Sequence, residues 1–292
     1  MYDIVIIGSG IAGMTAAIYG ARAGKKVAII EHSYYGGQIV TAPIVENYPG
    51  VSNVTGADLV NLIFLQMKSL DVDYINDKVV KVEDHSVVTE KNSYSTKTII
   101  VATGMTRRKL GLVNEDRFIG NGISYCATCD GNFYKDKTVA VVGGGNVALE
   151  DAIYLSGICK TVYLIHRKKE FTGEKIYEEK LKSCDNVKIV MEEEVIGLEG
   201  DSKLKGIQLK NQFISVDGLF IAIGSTPNTD IISDLINCDS SGYVLSNDTT
   251  TNVNSIFVAG DVRTKKVRQL ITAAADGAEA IYNALQYIKK GE

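Results

Sequence analysis

The sequence predicts an α/β protein in which one nucleotide-binding β-α-β unit is used twice. Three observations carry that expectation. Residues 3–10 (DIVIIGSG) and 138–145 (TVAVVGGG) are apolar, β-branched runs that end in a glycine cluster. Each leads into a helix-like stretch and a second apolar run, and the interval from Gly8 to Glu31 equals that from Gly143 to His166. Three further apolar runs, at 98–104, 219–224 and 256–261, close on glycine or Gly-Asp. Unbroken apolar character over so few residues is what a strand buried on both faces requires, and the glycine lets a ligand or another backbone approach its end.

In chain order, 3–8 reads as a strand, 11–24 as a helix and 26–31 as the next strand. Residues 138–143, 146–159 and 161–166 repeat that order. The segments 77–91 and 193–211 alternate apolar and polar residues, so they read as antiparallel strands beside the parallel sheets. Residues 269–289 carry apolar positions at spacings of three and four, the pattern of a closing helix.

The 292 residues suit about two domains. Apolar residues at 45% and charged residues at 23% are the balance of a chain with a sizeable core. A net charge of −4 leaves no broad basic surface, which argues against a nucleic-acid partner. No run reaches the roughly 18 apolar residues of a membrane helix. The opening MYDIVIIGSG lacks the basic start and cleavage site of a secretory leader. A cytoplasmic protein with no membrane partner is expected. Of five cysteines, Cys126 and Cys129 form one close pair, while Cys159, Cys184 and Cys238 are scattered. That distribution is not an extracellular disulfide framework, and the three singles read as small buried apolar side chains.

Gly8, Gly10 and Gly13 form G-x-G-x-x-G between strand and helix, with Glu31 ending the next strand. The first glycine allows the tight turn, the second admits a pyrophosphate to the backbone, and the third lets helix and strand pack closely. The phosphates then meet the helix N-terminus, and Glu31 accepts from a ribose hydroxyl. Gly143, Gly145 and Ala148 repeat the pattern as G-x-G-x-x-A, but His166, Arg167, Lys168 and Lys169 stand where the first copy has its acid. A carboxylate there would repel a 2′-phosphate and a basic cluster would pair with it, which reads as NADP(H) rather than NAD(H). The alternative is a solvated charge run on a βα loop.

Cys126-Ala127-Thr128-Cys129-Asp130 precedes the second fingerprint. C-x-x-C serves either zinc or redox chemistry. Zinc needs two more ligands, and Cys159, Cys184, Cys238, His32, His85 and His166 are scattered candidates for them. A redox disulfide needs two sulfurs close in sequence, one of them a ready thiolate. Asp130 beside the second sulfur reads as a proton carrier for the thiol or as a turn carboxylate. No metal site is expected.

Cys-Ala-Thr-Cys-Asp-Gly at 126–131 followed by Val-Val-Gly-Gly-Gly-Asn at 141–146 resembles the low-molecular-weight, bacterial-type thioredoxin reductases of the pyridine nucleotide-disulfide oxidoreductase superfamily. So do Gly36-Gly37-Gln38, Glu46-Asn47-Tyr48-Pro49-Gly50, Ala102-Thr103-Gly104, Gly260-Asp261-Val262 and Arg268-Gln269, in the family's order across essentially the whole chain. The resemblance implies two Rossmann-like three-layer domains: a discontinuous FAD domain, 1–112 plus 241–292, and an inserted NADPH domain, 113–240, that carries the dithiol. By the same resemblance Gly8, Gly10, Gly13 and Glu31 hold the ADP half of FAD. Gly37, Gln38 and Asn47 lie along the flavin with Thr103, Gly104 and Gly260, Asp261 meets the ribityl chain, and Arg268 and Gln269 stand near the ring. Gly143, Gly145, Asn146, Ala148, His166, Arg167 and Lys168 hold NADPH. Cys129 faces the flavin, Cys126 attacks the partner's disulfide, and Asp130 is the acid/base. The implied enzyme passes electrons from NADPH through FAD to the disulfide and on to thioredoxin or a glutaredoxin-like protein. It works as a homodimer, with the inserted domain turning on linkers near 113 and 240.

One motif departs from the family. Its 2′-phosphate motif usually reads His-Arg-Arg-x-x-x-Arg, whereas this chain has Lys168 for the second arginine, Thr172 for the last and Glu170 between. Lysine lacks the planar fork of arginine and threonine lacks the charge. At about 1.5–3 kcal/mol per charge-assisted contact, NADPH would bind roughly tenfold or more weakly. That leaves room for reduced ferredoxin as donor. A flavoprotein serving a peroxiredoxin or an iron–sulfur protein is a further alternative, opposed by the intact dithiol. A flavin-binding sensor without turnover is a third.

Overall fold

The computed structural model describes residues 1–291. The chain forms two compact units, one of Met1–Thr106 with Thr226–Glu292 and one of Arg107–Ser225. The divisions therefore lie at 106/107 and 225/226, not at the expected 112/113 and 240/241. Packing explains the difference. Leu110 and Leu112 lie against the cluster of Phe118, Ile207 and Leu219 in the second unit. Ile232, Ile236 and Val244 are buried with Val5, Ile99 and Val258 in the first. The two crossings of the chain, on Met105–Arg107 and Ser225–Pro227, pair as a two-stranded ribbon.

In the first unit, Asp73–Asn76, Val27–Glu31, Tyr2–Ile7, Ser93–Val101 and Ile256–Val258 lie side by side, all parallel. Val79–Glu83 and Ser86–Thr89 are antiparallel and continue from the first part of Ser93–Val101, which thus belongs to both arrays. Alternate side chains serve opposite layers. Ile4 and Ile6 pack with the helices Ile11–Arg22 and Leu270–Gly291, whereas Val5 and Ile7 pack with Val82 and Val87. The result is three layers, helix–sheet–sheet.

The second unit repeats the plan. Val187–Met191, Thr161–His166, Thr138–Val142, Gly218–Ile221 and Ile123–Ser124 form a parallel sheet. Val195–Gly200, Leu204–Leu209 and Phe213–Ser215 form an antiparallel one. Val139 and Val141 face the helix Asn146–Ser156, and Ala140 and Val142 face Ile207 and Leu209. The expected α/β class, the duplicated β-α-β unit, both alternating segments and the closing helix are all present. Among the described residues no helix is long and apolar enough to cross a membrane, and no group of His, Cys, Asp or Glu is placed to hold a metal ion.

Candidate active site

The three glycines of the first fingerprint do different things. Gly8 has φ +99°, and a Cβ there would lie 2.5 Å from the Ala102 carbonyl oxygen. A Cβ on Gly13 would lie 1.9 Å from the oxygen of Gly8, so this glycine lets the helix Ile11–Arg22 seat on its strand. Gly10 has open space where its Cβ would point. The helix opens on Gly10 with no side-chain cap, and first-turn N–H groups have no partner within a helix. An uncapped helix start behind an open glycine is a cradle for phosphate. Gly13→Ala is accordingly expected to cost more than about 1–3 kcal/mol through backbone overlap. Gly10→Ala should leave the melting temperature within a few degrees while weakening flavin retention. Measuring both on each variant checks the pair of outcomes, and a Gly10→Ala protein that keeps its flavin would refute the assignment.

Glu31 ends the second strand. Burial works against its charge, but the N–H and hydroxyl of Ser9 and of Ser33 all donate to it and hold its carboxyl below the ordinary value. The carboxylate thus ties the glycine loop to the strand end. A Cβ on Gly37 would lie 3.4 Å from Gly10 Cα, and Gly36 N–H donates to the Ser9 carbonyl at 2.9 Å. Gln38 Nε2 donates to the Met105 carbonyl. Asn47 Nδ2 donates to Gln269 Oε1 at 3.1 Å, joining residues 222 positions apart. Thr103 Oγ1 donates to the Asn228 carbonyl at 2.7 Å, and Asn228 N–H donates to Gly104 at 3.0 Å. Arg268 lies 4.3 Å over the Tyr243 ring, with a buried Nε that has no hydrogen-bond acceptor among the described residues. A bound polar group in contact with it would satisfy that donor.

Sequence reasoning missed Asp276. It is buried, and it accepts from Gly260 N–H at 2.9 Å, Arg263 Nε at 2.9 Å and Nη2 at 2.7 Å, and Lys265 Nζ at 2.8 Å. Burial opposes its charge, and the Arg263 and Lys265 bonds prevail, so its carboxyl sits below the ordinary aspartate value. The turn carrying Gly260 and Asp261 is held from beneath by this one carboxylate.

In the second unit Gly145 again opens a helix, Asn146–Ser156, with no side-chain cap, and Ala148 is buried against the sheet. His166 differs from expectation. The residue is 7% exposed, and its ring lies where a Cβ on Gly144 would be and pairs through Nε2 with the Glu170 carbonyl at 3.0 Å. It shapes the loop, from which Arg167, Lys168 and Lys169 are exposed. Lys169 is directed to Glu192, 3.9 Å away. Thr172 donates through N–H and Oγ1 to the Gly144 carbonyl at 2.7 and 3.1 Å. Asn146 is engaged in a two-way bond with Glu174, at 2.7 and 2.8 Å, which fastens the basic loop to the helix start.

Cys126 and Cys129 form a disulfide with Cα atoms 5.3 Å apart. They flank the start of the short helix Ala127–Asp130, Cys126 half-buried and Cys129 exposed. Ser124, also missed from sequence, organises the site. Its Oγ donates to Asp130 Oδ2 at 2.6 Å and accepts from Cys126 N–H at 3.1 Å. Burial pushes the Asp130 carboxyl up, against the pull of Ser124 and Arg107. A carboxyl with raised proton affinity two bonds of structure from a disulfide is suited to giving and taking thiol protons. Cys159 is buried, and Cys184 and Cys238 are partly so.

Similarity to known proteins agrees with this geometry. The pyridine nucleotide-disulphide oxidoreductase family matches residues 2–277. The thioredoxin reductase of Mycoplasma genitalium is 42% identical, covering 96% of this chain and 93% of that protein. That of Mycoplasma pneumoniae is 40% identical with the same coverage. The crystal structure of thioredoxin reductase from Streptococcus pyogenes superposes with a TM-score of 0.94 at 37% identity, covering 99% of both chains. With two nucleotide folds, a disulfide on the second and these likenesses over its whole length, the chain belongs to the pyridine nucleotide-disulphide oxidoreductases, in their thioredoxin reductase branch.

Proposed function

We propose that the chain reduces the disulfide of thioredoxin, or of a thioredoxin-like or glutaredoxin-like protein, with electrons from NADPH. The observation that carries this reading is the Cys126–Cys129 disulfide beside an acid and a serine on the second nucleotide-binding unit. When bound, FAD supplies a two-electron relay and NADPH the hydride. Gly8, Gly10, Gly13 and Glu31 hold the ADP half of FAD. Gly37, Gln38, Asn47, Thr103, Gly104, Gly260 and Asp261 line the remainder, and Arg268 and Gln269 lie near the ring. Gly143, Gly145, Asn146 and Ala148 seat the NADPH pyrophosphate. Arg167 and Lys168 meet the 2′-phosphate over a loop that His166 shapes. Residues 1–106 with 226–292 would then be the FAD domain and 107–225 the NADPH domain. The enzyme acts in the cytoplasm as a homodimer.

The disulfide takes two electrons and two protons to become a dithiol. Cys126 thiolate then attacks one sulfur of the partner's disulfide, forming a mixed disulfide and releasing one partner thiolate. Cys129 attacks Cys126 Sγ, which reforms the Cys126–Cys129 bond and releases the second partner thiolate. Asp130 takes the proton from the attacking thiol and returns it to a departing one.

Anaerobic titration of the flavin-loaded protein separates the donors. NADPH is expected to bleach the flavin at lower concentration than NADH, by about tenfold for a single charge-assisted contact. Reduced ferredoxin is the third arm and the test of the second donor reading. If none of the three bleaches the flavin, the electron route is wrong.

A further inference from the structure

We propose that Arg107 is the cation of the dithiol centre, a positioning residue that acts on the disulfide through Asp130. This rests on the reading of Cys126–Cys129 as the working disulfide. Arg107 is half-buried at the end of the crossing strand Met105–Arg107, far from the C-x-x-C in sequence. Its guanidinium lies 5.3 Å over the ring of Tyr125, the residue that precedes Cys126. Tyr125 is pinned on its other side, where its hydroxyl donates to Glu115 Oε1 at 3.1 Å. Glu115 is itself buried and accepts from the N–H groups of Leu110, Gly111 and Leu112 at 3.0, 2.8 and 3.2 Å. The turn just after Arg107 and the tyrosine just before Cys126 are therefore fastened to one carboxylate, which fixes where the cation sits.

Two carboxyls feel it. Asp130 ends the short helix of the dithiol, and Asp151 lies in the helix Asn146–Ser156, whose Ala148 and Ala152 pack with Ala127. Burial pushes both carboxyls up, Asp151 to about 7 with help from Glu150, and Arg107 pulls both down. Asp116 acts on Tyr125, and Tyr134 feels Asp130, Asp217 and Cys159. Burial favours the protonated form of a carboxyl, and a nearby cation favours the ionised form that can accept the proton of an attacking thiol. Reduction of the disulfide consumes two protons and exchange with the partner returns two, so the acid must pass through both states in each cycle. Arg107 offsets part of the burial effect on that acid.

The test uses flavin-loaded protein reduced by dithiothreitol, with the rate of alkylation of the dithiol by iodoacetamide followed against pH. Removing the cation raises the proton affinity of every nearby acid. In Arg107→Met the midpoint should therefore move up by about one unit, and Arg107→Lys should bring it back toward that of the unaltered protein. In an Asp130→Asn background the same Arg107→Met change should move the midpoint by less than half as much. Coincidence of the Arg107→Met and unaltered profiles overturns the proposal. A full shift that persists without Asp130 overturns the route through that residue. If Arg107→Met loses its flavin, Arg107→Gln, which keeps a planar polar head over Tyr125, replaces it with the same expectations. Alkylation needs neither NADPH nor a protein partner, so its result stands apart from the turnover assay that tests the proposed function.

Discussion

Cys126→Ser is expected to abolish reduction of thioredoxin disulfide, by more than about a thousandfold, the scale on which loss of an essential nucleophile acts. Flavin bleaching by NADPH should remain. The chemistry is specific to sulfur: a serine hydroxyl is un-ionised at neutral pH and cannot form the mixed disulfide through which exchange must pass. The partner sulfur gives the complementary outcome. Cys129→Ser leaves a Cys126 thiol that can attack the partner's disulfide once and then has no neighbour to resolve the adduct. A covalent complex should accumulate, visible on non-reducing gels and dissolved by dithiothreitol. The two variants therefore differ in kind as well as in rate. This matters because Cys129 is the more exposed residue and Cys126 the half-buried one, so residue exposure by itself would assign the attack to Cys129. Turnover within tenfold of the unaltered protein in Cys126→Ser would refute the dithiol's role. A trapped complex in Cys126→Ser in place of Cys129→Ser would exchange the two sulfurs.

The nucleotide folds were legible in the sequence because their determinants are local. The glycine spacing, the apolar runs and the residue that closes the second strand all lie within some two dozen positions, and backbone sterics at Gly8 and Gly13 leave little choice of residue. The alternating segments were legible for the same reason, since each strand pairs with its neighbour in sequence. The domain boundaries were not, because they depend on which core receives Leu110 and Ile236. The polar groups that hold the site together were invisible for a related reason. Ser124 precedes the C-x-x-C as an ordinary strand residue, and its value appears only once Asp130 lies 2.6 Å away. His166 stands in a basic run in the sequence, and only the folded loop places its ring against Gly144. Charge patterns in a sequence do not say which members are buried.

Asp276→Asn should cost the first unit about 3–5 kcal/mol, the usual penalty for breaking one partner out of a buried ion pair. Asp276 and its two cationic partners have side chains only 6%, 14% and 7% exposed. Asparagine removes the charge and leaves the Arg263 guanidinium and Lys265 ammonium buried with one neutral acceptor between them. The melting temperature should fall by about 10 °C. Retention of flavin should weaken as well, because the Gly260 N–H that defines the turn loses a charged acceptor. The pH dependence separates this mechanism from loss of packing. The carboxyl's folded-state value lies below its unfolded one. Its stabilisation is therefore complete above the ordinary aspartate range and is lost as the pH falls through the depressed value. The gap in stability between the unaltered protein and Asp276→Asn should be constant near neutrality and close in acid, below about pH 4. Thermal unfolding of both proteins across that range reads it directly. A gap that stays open in acid would mean that shape at this position, and not charge, holds the turn.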